Sequence, residues 1–340
     1  MFLRPVIALL LLFQTAPQWI LQNSGVKARL RGVSAVNAKV AWASGSGSTV
    51  LRTTDGGETW LKLKVTPDEL DFRDIDAINE RTAYALSIGN GPASHIYKTT
   101  DAGAAWTLQY KSDDAKVFLD AMSFWDEQHG LVVGDSVDGQ LYILRTDTAG
   151  RTWTRIPPDV LPAALANEGA FAASGTNIAT IGKRFAWIGM GAASKARVLR
   201  TTDAGRSWSI SETPLASGPS SGIFSTAFRD EKHGVVVGGD YTKENETNNN
   251  LAFTSDGGIT WKPASGLTGF RSIVAYAPAT NAPTLVAIGP AGADYSSDDG
   301  RSWKPISGRG FDTFSFVRQG ANGWGAGANG GLGKLVPGPR

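Results

Sequence analysis

The chain carries one eight-residue pattern six times, and no other feature restricts its fold so tightly. Thr53-x-Asp55-x-Gly57-x-Thr59-Trp60 is the first copy, within LRTTDGGETW. TTDAGAAW ends at Trp106, TDTAGRTW at Trp153 and TTDAGRSW at Trp208. TSDGGITW ends at Trp261 and SSDDGRSW at Trp303. Successive Trp residues stand 42 to 55 positions apart. A repeat of this period marks an array of similar supersecondary units.

The surroundings of each copy define the unit. A short strand precedes the box, as in STVLRT, SHIYKT, LYILRT and ARVLRT. Before it lies a small, aromatic and Gly-rich strand: VAWASG, TAYALS, HGLVVG, FAWIGM, HGVVVG. Further upstream comes another apolar strand: GVSAV, FRDIDAI, LDAMSF, IFSTAF, FRSIVAY. A fourth strand follows the Trp, as in WTLQY. Four short strands joined by turns make a β-propeller blade. The segments FDTFSFV, GWGAGA and LGKLV add a seventh unit with no box and one strand too few. Trp19-Ile20-Leu21-Gln22 matches Trp106-Thr107-Leu108-Gln109, the strand after a box. The expectation is therefore an all-β, seven-bladed propeller over residues 17–340, one domain, with residues 18–23 closing the ring against strands from residues 311–336. Closure leaves no open sheet edge.

The box reads as the hairpin between the third and fourth strands. Asp55, Asp101, Asp203, Asp256 and Asp298 are expected to accept hydrogen bonds from N–H groups of their own turns. The following Gly permits positive φ, and the Trp supplies apolar area against a neighbouring blade. The third copy departs, with Thr148 where Asp is expected and Asp147 beside it. A pattern repeated on six blades is scaffold rather than an active site.

This pattern resembles the Asp-box, or bacterial neuraminidase repeat, of Asp-box propellers, over nearly the whole chain. Families with this repeat include sialidases, xyloglucan-cleaving glycoside hydrolases, sortilin-type receptors and the photosystem II stability/assembly factors. The last fits best, on Phe72-Arg73-Asp74-Ile75, His129-Gly130-Leu131-Val132-Val133-Gly134 and the boxes. That resemblance implies a single exported seven-bladed propeller that binds rather than catalyses.

Bulk properties narrow the partners. A net charge of +2 gives no reason to expect a polyanion, so nucleic-acid binding is not expected. With no Cys, disulfides, thiol catalysis and thiolate metal sites are excluded. No cofactor or metal is expected: the three His residues do not cluster, with His129 and His233 at equivalent turns and His95 alone. Arg4 followed by the apolar run Val6–Phe13 reads as a secretory signal peptide over residues 1–16. The run is too short to span a bilayer. The expected location is periplasmic or secreted, as a monomer.

Ligands of propellers usually bind at the channel mouth, opposite the boxes. Aligning the innermost strands places Arg31, Arg73 and Arg271 at one position, shared with Asp120 and Asp312, while the fourth and fifth blades contribute Ala172 and Phe224. The ring has two readings: a structural set of ion pairs, or a docking site for a polypeptide segment or a polar or anionic ligand. Arg suits carboxylate or phosphate, and Arg31 and Arg73 are neighbours with no acid between them. Loops 134–140 and 238–250, carrying Asp135, Asp138, Asp240, Glu244 and Glu246, share this face.

Other motifs carry less. Gly218-Pro219-Ser220-Ser221-Gly222 lacks the strand–turn–helix setting of a hydrolase nucleophile. Gly325-Ala326-Gly327-Ala328-Asn329-Gly330 has no helix to hold a pyrophosphate. A sialidase needs a Tyr–Glu pair and an Arg triad, and its Arg-Ile-Pro signature occurs only at Arg155-Ile156-Pro157, after a box. A glycoside hydrolase using Asp120 and Asp312 is the alternative function to a non-enzymatic, assembly-factor-like propeller.

Overall fold

The computed structural model describes residues 17–278 and 282–337; the expected signal peptide lies outside them. Seven four-stranded antiparallel sheets form the ring. The innermost strands, in blade order, are Leu30–Ala35, Asp71–Ala77, Leu119–Phe124, Ile178–Ile181, Ser221–Phe228, Ile273–Tyr276 and Thr313–Phe316. In the first six blades the other three strands follow in chain order. The described residues contain three short 3-10 turns and no α-helix, and among them no helix is long and apolar enough to cross a membrane.

The seventh sheet closes as the sequence implied. Gln18–Asn23 pairs antiparallel with Gly331–Val336, with Trp19 opposite Leu335 and Gln22 opposite Leu332. Gln22 also ties the closing strand to blade 1, because its Oε1 accepts from the indoles of Trp60, at 3.2 Å, and Trp324, at 3.1 Å.

The core lies between blades, since each second strand is buried on both faces. Trp42, Trp187 and Trp324 are completely enclosed. Box tryptophans complete these layers: Trp106 meets Trp42 of the preceding blade edge-on at 6.1 Å, a geometry favoured by the ring quadrupoles.

The box hairpins share one hydrogen-bond pattern. In blade 1 the Thr53 hydroxyl donates to Asp55 at 2.8 Å and accepts from Gly57 N–H at 2.9 Å. Asp55 also accepts from the Thr59 N–H at 3.0 Å and hydroxyl at 2.6 Å. Asp203, Asp256 and Asp298 repeat this set, and Asp101 accepts from Ala105 N–H. The third hairpin keeps its shape with a hydroxyl in place of the carboxylate: Thr148 Oγ1 accepts from Thr152 N–H at 3.0 Å. The turn therefore needs an acceptor at this position rather than a charge. Gly103 (φ 89°) shows the need for glycine, since a Cβ there would collide with Leu63 and press on Trp42.

Candidate functional site: the plugged channel mouth

A β-bulge aims the mouth residues. Register shifts fall between Leu30 and Gly32, Phe72 and Asp74, Leu119 and Ala121, and Ile223 and Ser225. The residue inside each bulge is Arg31, Arg73, Asp120 or Phe224. A bulge re-aims its extra side chain, so one position in four blades is turned towards the axis. In blade 7, Asp312 holds the equivalent place, its N–H bonded to Ala326 O just before the inner strand.

Arg271 does not share this position, which corrects the sequence alignment. A Cβ on Gly289 would meet Phe270 O and the Arg271 Cα, as one on Gly45 would meet Arg29 O and the Leu30 Cα. Arg271 thus corresponds to Leu30, and Ser272 to Arg31. A one-residue slip moves a strand side chain to the other face. Arg271 is 0% exposed and paired to Asp294 of its own blade at 2.6 Å. It also donates to Phe270 O at 2.8 Å and to Thr268. It is a buried structural ion pair, away from the mouth.

Ala172 requires a second correction. Blade 4 contributes no bulge residue; its short inner strand starts only at Ile178, and the chain before it crosses the ring. Glu168 anchors this segment through its carboxylate, which receives Arg197 Nε at 2.7 Å. On the blade 3 side, Asp135 accepts from Ala170 N–H and Asp120 from Ala172 N–H. Arg73 donates to Ala172 O at 3.0 Å and Arg31 to Ala173 O at 3.4 Å. Ser174 donates to Ser272 O of blade 6 at 2.7 Å, while Thr313 of blade 7 donates to Ser174 O at 3.0 Å. Thr176 binds Ser225 of blade 5 at 2.8 Å. Residues 168–177 thus meet all seven blades, which places them on the ring axis as a plug.

The plug sets the electrostatics of the mouth. Asp120 is 1% exposed, and one of its oxygens has no hydrogen-bond partner. Burial, with Asp135 nearby, pushes its carboxyl well above the usual range. Burial likewise raises Asp135 to about 6. Asp74, buried beneath the plug, is also shifted well upwards by burial, although Met122 N–H donates to it at 2.8 Å. Burial favours the protonated form of these carboxyls, whereas the N–H groups of Ala170 and Ala172 favour the ionised form of Asp135 and Asp120.

The arginines differ from one another. Arg73 is fixed by Asp71 at 3.0 Å. Arg31 lies 3.9 Å from Asp312, and its Nε is buried without a hydrogen-bond partner. Burial pushes its guanidinium down to about 10, against the pull of Asp312. Asp312 itself is clamped from the other side by Arg29, through two hydrogen bonds of 2.8 Å. Arg29 and Arg309 line a cleft of about 270 Å³ with Phe311, Asp312 and Ala328. The alignment of inner strands could not find Arg29 or Arg309, because both lie in loops before those strands. The opposite half of the mouth is aromatic: Phe171 stacks on Phe224 at 4.0 Å, and half-exposed Tyr241 stands edge-on to both.

Other sequence candidates fall elsewhere. His129 and His233 bind Asp126 and Asp230 in matching turns, through Nδ1 at 2.8 Å and 2.9 Å. No group of three or more His, Cys, Asp or Glu is placed to hold a metal among the described residues. Asp138 forms an exposed ion pair with Lys116. Asp120 and Asp312 do not face an open channel together, because the plug covers one and Arg29 occupies the other.

No protein-family model matches the chain, and neither does any curated protein. Solved structures do. YCF48 bound to a D1 peptide superposes with a TM-score of 0.63 and 17% identity, covering 95% of this chain and 97% of that one. YCF48 from Cyanidioschyzon merolae gives 0.64 and 17%, covering 94% and 99%. The GH74 xyloglucanase from Xanthomonas campestris gives 0.62 and 16%, covering 93% of this chain and 53% of the enzyme. The chain has the seven-bladed propeller fold that these structures share. At these identities the likeness is one of fold.

Proposed function

We propose that this protein is a non-enzymatic binding propeller that docks a polypeptide segment at the plugged mouth, with Arg31 and Arg73 receiving a carboxylate of that segment. The observation that carries this reading is the state of Arg31. It is a partly buried guanidinium whose enclosed Nε has no acceptor and whose bond to Ala173 O is long. Leaving a buried charged donor unmatched costs free energy that an incoming carboxylate relieves. Two supports stand beside it: the resemblance to assembly factors, and the likeness in fold to a propeller that binds a D1 peptide. Asp71 and the plug hold Arg73 ready, so little ordering remains to be done on binding. Action outside the cytoplasm belongs to the same proposal and rests on Arg4 and the apolar run after it. The glycosidase alternative gains nothing from the mouth, where neither Asp120 nor Asp312 is free to act on a sugar.

The test is a pull-down from the native host with wild type and Arg31→Ala/Arg73→Ala, both confirmed as folded by circular dichroism. The double variant is expected to lose its specific partner, an effect of about a hundredfold or more for two charge-assisted contacts, about 1.5–3 kcal/mol each. Retention of the same partners by the double variant would sink the mouth site.

A further inference from the structure

On the box face, the junctions between blades are not built alike. The third strand of a blade carries a residue directly opposite the enclosed second-strand residue. In blades 1, 2 and 7 this residue is a cation lying over an aromatic ring: Arg52 over Trp42, Lys98 over Tyr84 and Lys334 over Trp324. Each reaches onwards to a carbonyl of the next blade. Arg52 donates to Glu80 O at 3.0 Å, Lys98 to Ala149 O at 2.8 Å and Lys334 to Ala38 O at 3.2 Å. The cation is the bolt across these three junctions; blades 5 and 6 carry Phe253 and Tyr295 at the same position.

Arg145 holds that position in blade 3, opposite Leu131. Leu131 offers no ring to lie over. The departure in the third box also matters here, because it puts an acid at Asp147. Arg145 donates to Asp147 at 3.0 Å and 2.7 Å within its own blade and makes no bridge to blade 4. Where the bolt would sit, there is a cleft of about 420 Å³. Its walls are the turns of blades 3 and 4 and the fourth box.

The charges around this cleft are unbalanced in what they can offer. Arg145, Lys183, Arg184 and Arg206 supply the cations, Asp126 and Asp203 the acids. Both acids are already spent on their own turns. Asp126 accepts from Gln128 N–H, His129 N–H and the His129 ring. Asp203 accepts from the Thr201 and Ser207 hydroxyls and from Arg206 and Ser207 N–H. Among the described residues, Lys183, Arg184 and Arg206 have no carboxylate partner; Arg184 rests on the Phe185 ring at 4.7 Å.

We infer that the cleft between blades 3 and 4 is a second binding site, for a compact polyvalent oxyanion of the phosphate or sulfate ester type. Guanidinium forks and a lysine suit tetrahedral oxyanions, and the cleft has the volume of a small-ligand site. It lies on the face opposite the arginine mouth, so it stands independently of peptide docking.

Isothermal titration at low ionic strength, with pyrophosphate and separately with inorganic sulfate, tests the site. Saturable 1:1 binding is expected, stronger for pyrophosphate than for sulfate. Lys183→Ser/Arg206→Ser alters two exposed turn residues and is expected to weaken binding by about tenfold or more. Arg31→Ala/Arg73→Ala is expected to leave it unchanged. Absence of saturable binding, equal binding by Lys183→Ser/Arg206→Ser, or loss of binding in the mouth variant would each overturn the assignment. Unchanged melting of each variant shows that the reading concerns the cleft and not the fold.

Discussion

Asp256 and Asp135 are both aspartates fixed by backbone N–H groups, one in a box hairpin and one against the channel plug. Burial is the largest single influence on Asp256 and raises it, but bonds from Thr260, Thr254 and Ile259 together outweigh it and hold the carboxyl at about 2. Burial dominates at Asp135, where a single bond from Ala170 does not offset it, and the carboxyl rises to about 6. The hairpin gathers several donors on one carboxylate, so hydrogen bonding decides. The plug lies on the axis, so desolvation decides. Hydrogen bonds favour the ionised carboxylate in one region, and burial favours the protonated carboxyl in the other.

The largest expected effect tests whether the plug is part of the stable fold. Gly175 sits at φ 73°, and a Cβ there would land in the Asp74 carboxylate. Gly175→Val therefore combines a forbidden backbone region with a clash, and is expected to cost about 3 kcal/mol or more in urea unfolding. Gly182→Ala is the control: φ is 60° and nothing lies within 4 Å, so about 1 kcal/mol is expected. Equal losses would mean that the plug moves aside freely.

The next effect concerns pH. Asp135 has a folded value of about 6 against an ordinary 3.8, so the native state holds its proton more tightly than the unfolded chain does. Its contribution is fully present below about pH 4 and is lost as pH rises through 6. Asp135→Asn keeps an acceptor for Ala170 and removes the titration. With allowance for residual solvent screening, the variant is expected to gain about 2 kcal/mol on wild type at pH 7 and nothing at pH 4. Urea midpoints across that range check it, and parallel curves would refute the burial argument.

These two regions were unequally legible in the sequence. The hairpins announce themselves six times, and even the closing strand Gln18–Asn23 carried a repeat signature. The plug is unique, so no repeat could reveal it. Its traces were indirect: Trp153 to Trp208 is the longest interval, and blade 4 lacked an obvious inner strand. Arg271 was misplaced because FRSIVAY imitates FRDIDAI by letter. The bulge in blade 2 lies between Phe72 and Asp74, whereas Ile273–Tyr276 pairs without one, so equal letters point to different faces. Bulges and ion pairs such as Arg29–Asp312, 283 positions apart, depend on long-range packing that local pattern does not encode.

The smallest effect is the sharpest test of the contrast, because its pH dependence runs the other way. Asp256 has its value depressed to about 2 from 3.8, so its contribution is present above about pH 4 and is lost as pH falls through 2. Asp256→Ala removes the acceptor for Thr260 N–H and should cost about 1 kcal/mol at pH 7, as loss of a turn cap does. The difference from wild type should shrink towards pH 2. Asp256→Thr should cost less than Asp256→Ala, because Thr148 already closes the third hairpin with a hydroxyl. Should Thr prove as costly as Ala, the hairpin would depend on the charge itself, and blade 3 would hold its turn by some other means than the one its hydrogen bonds describe.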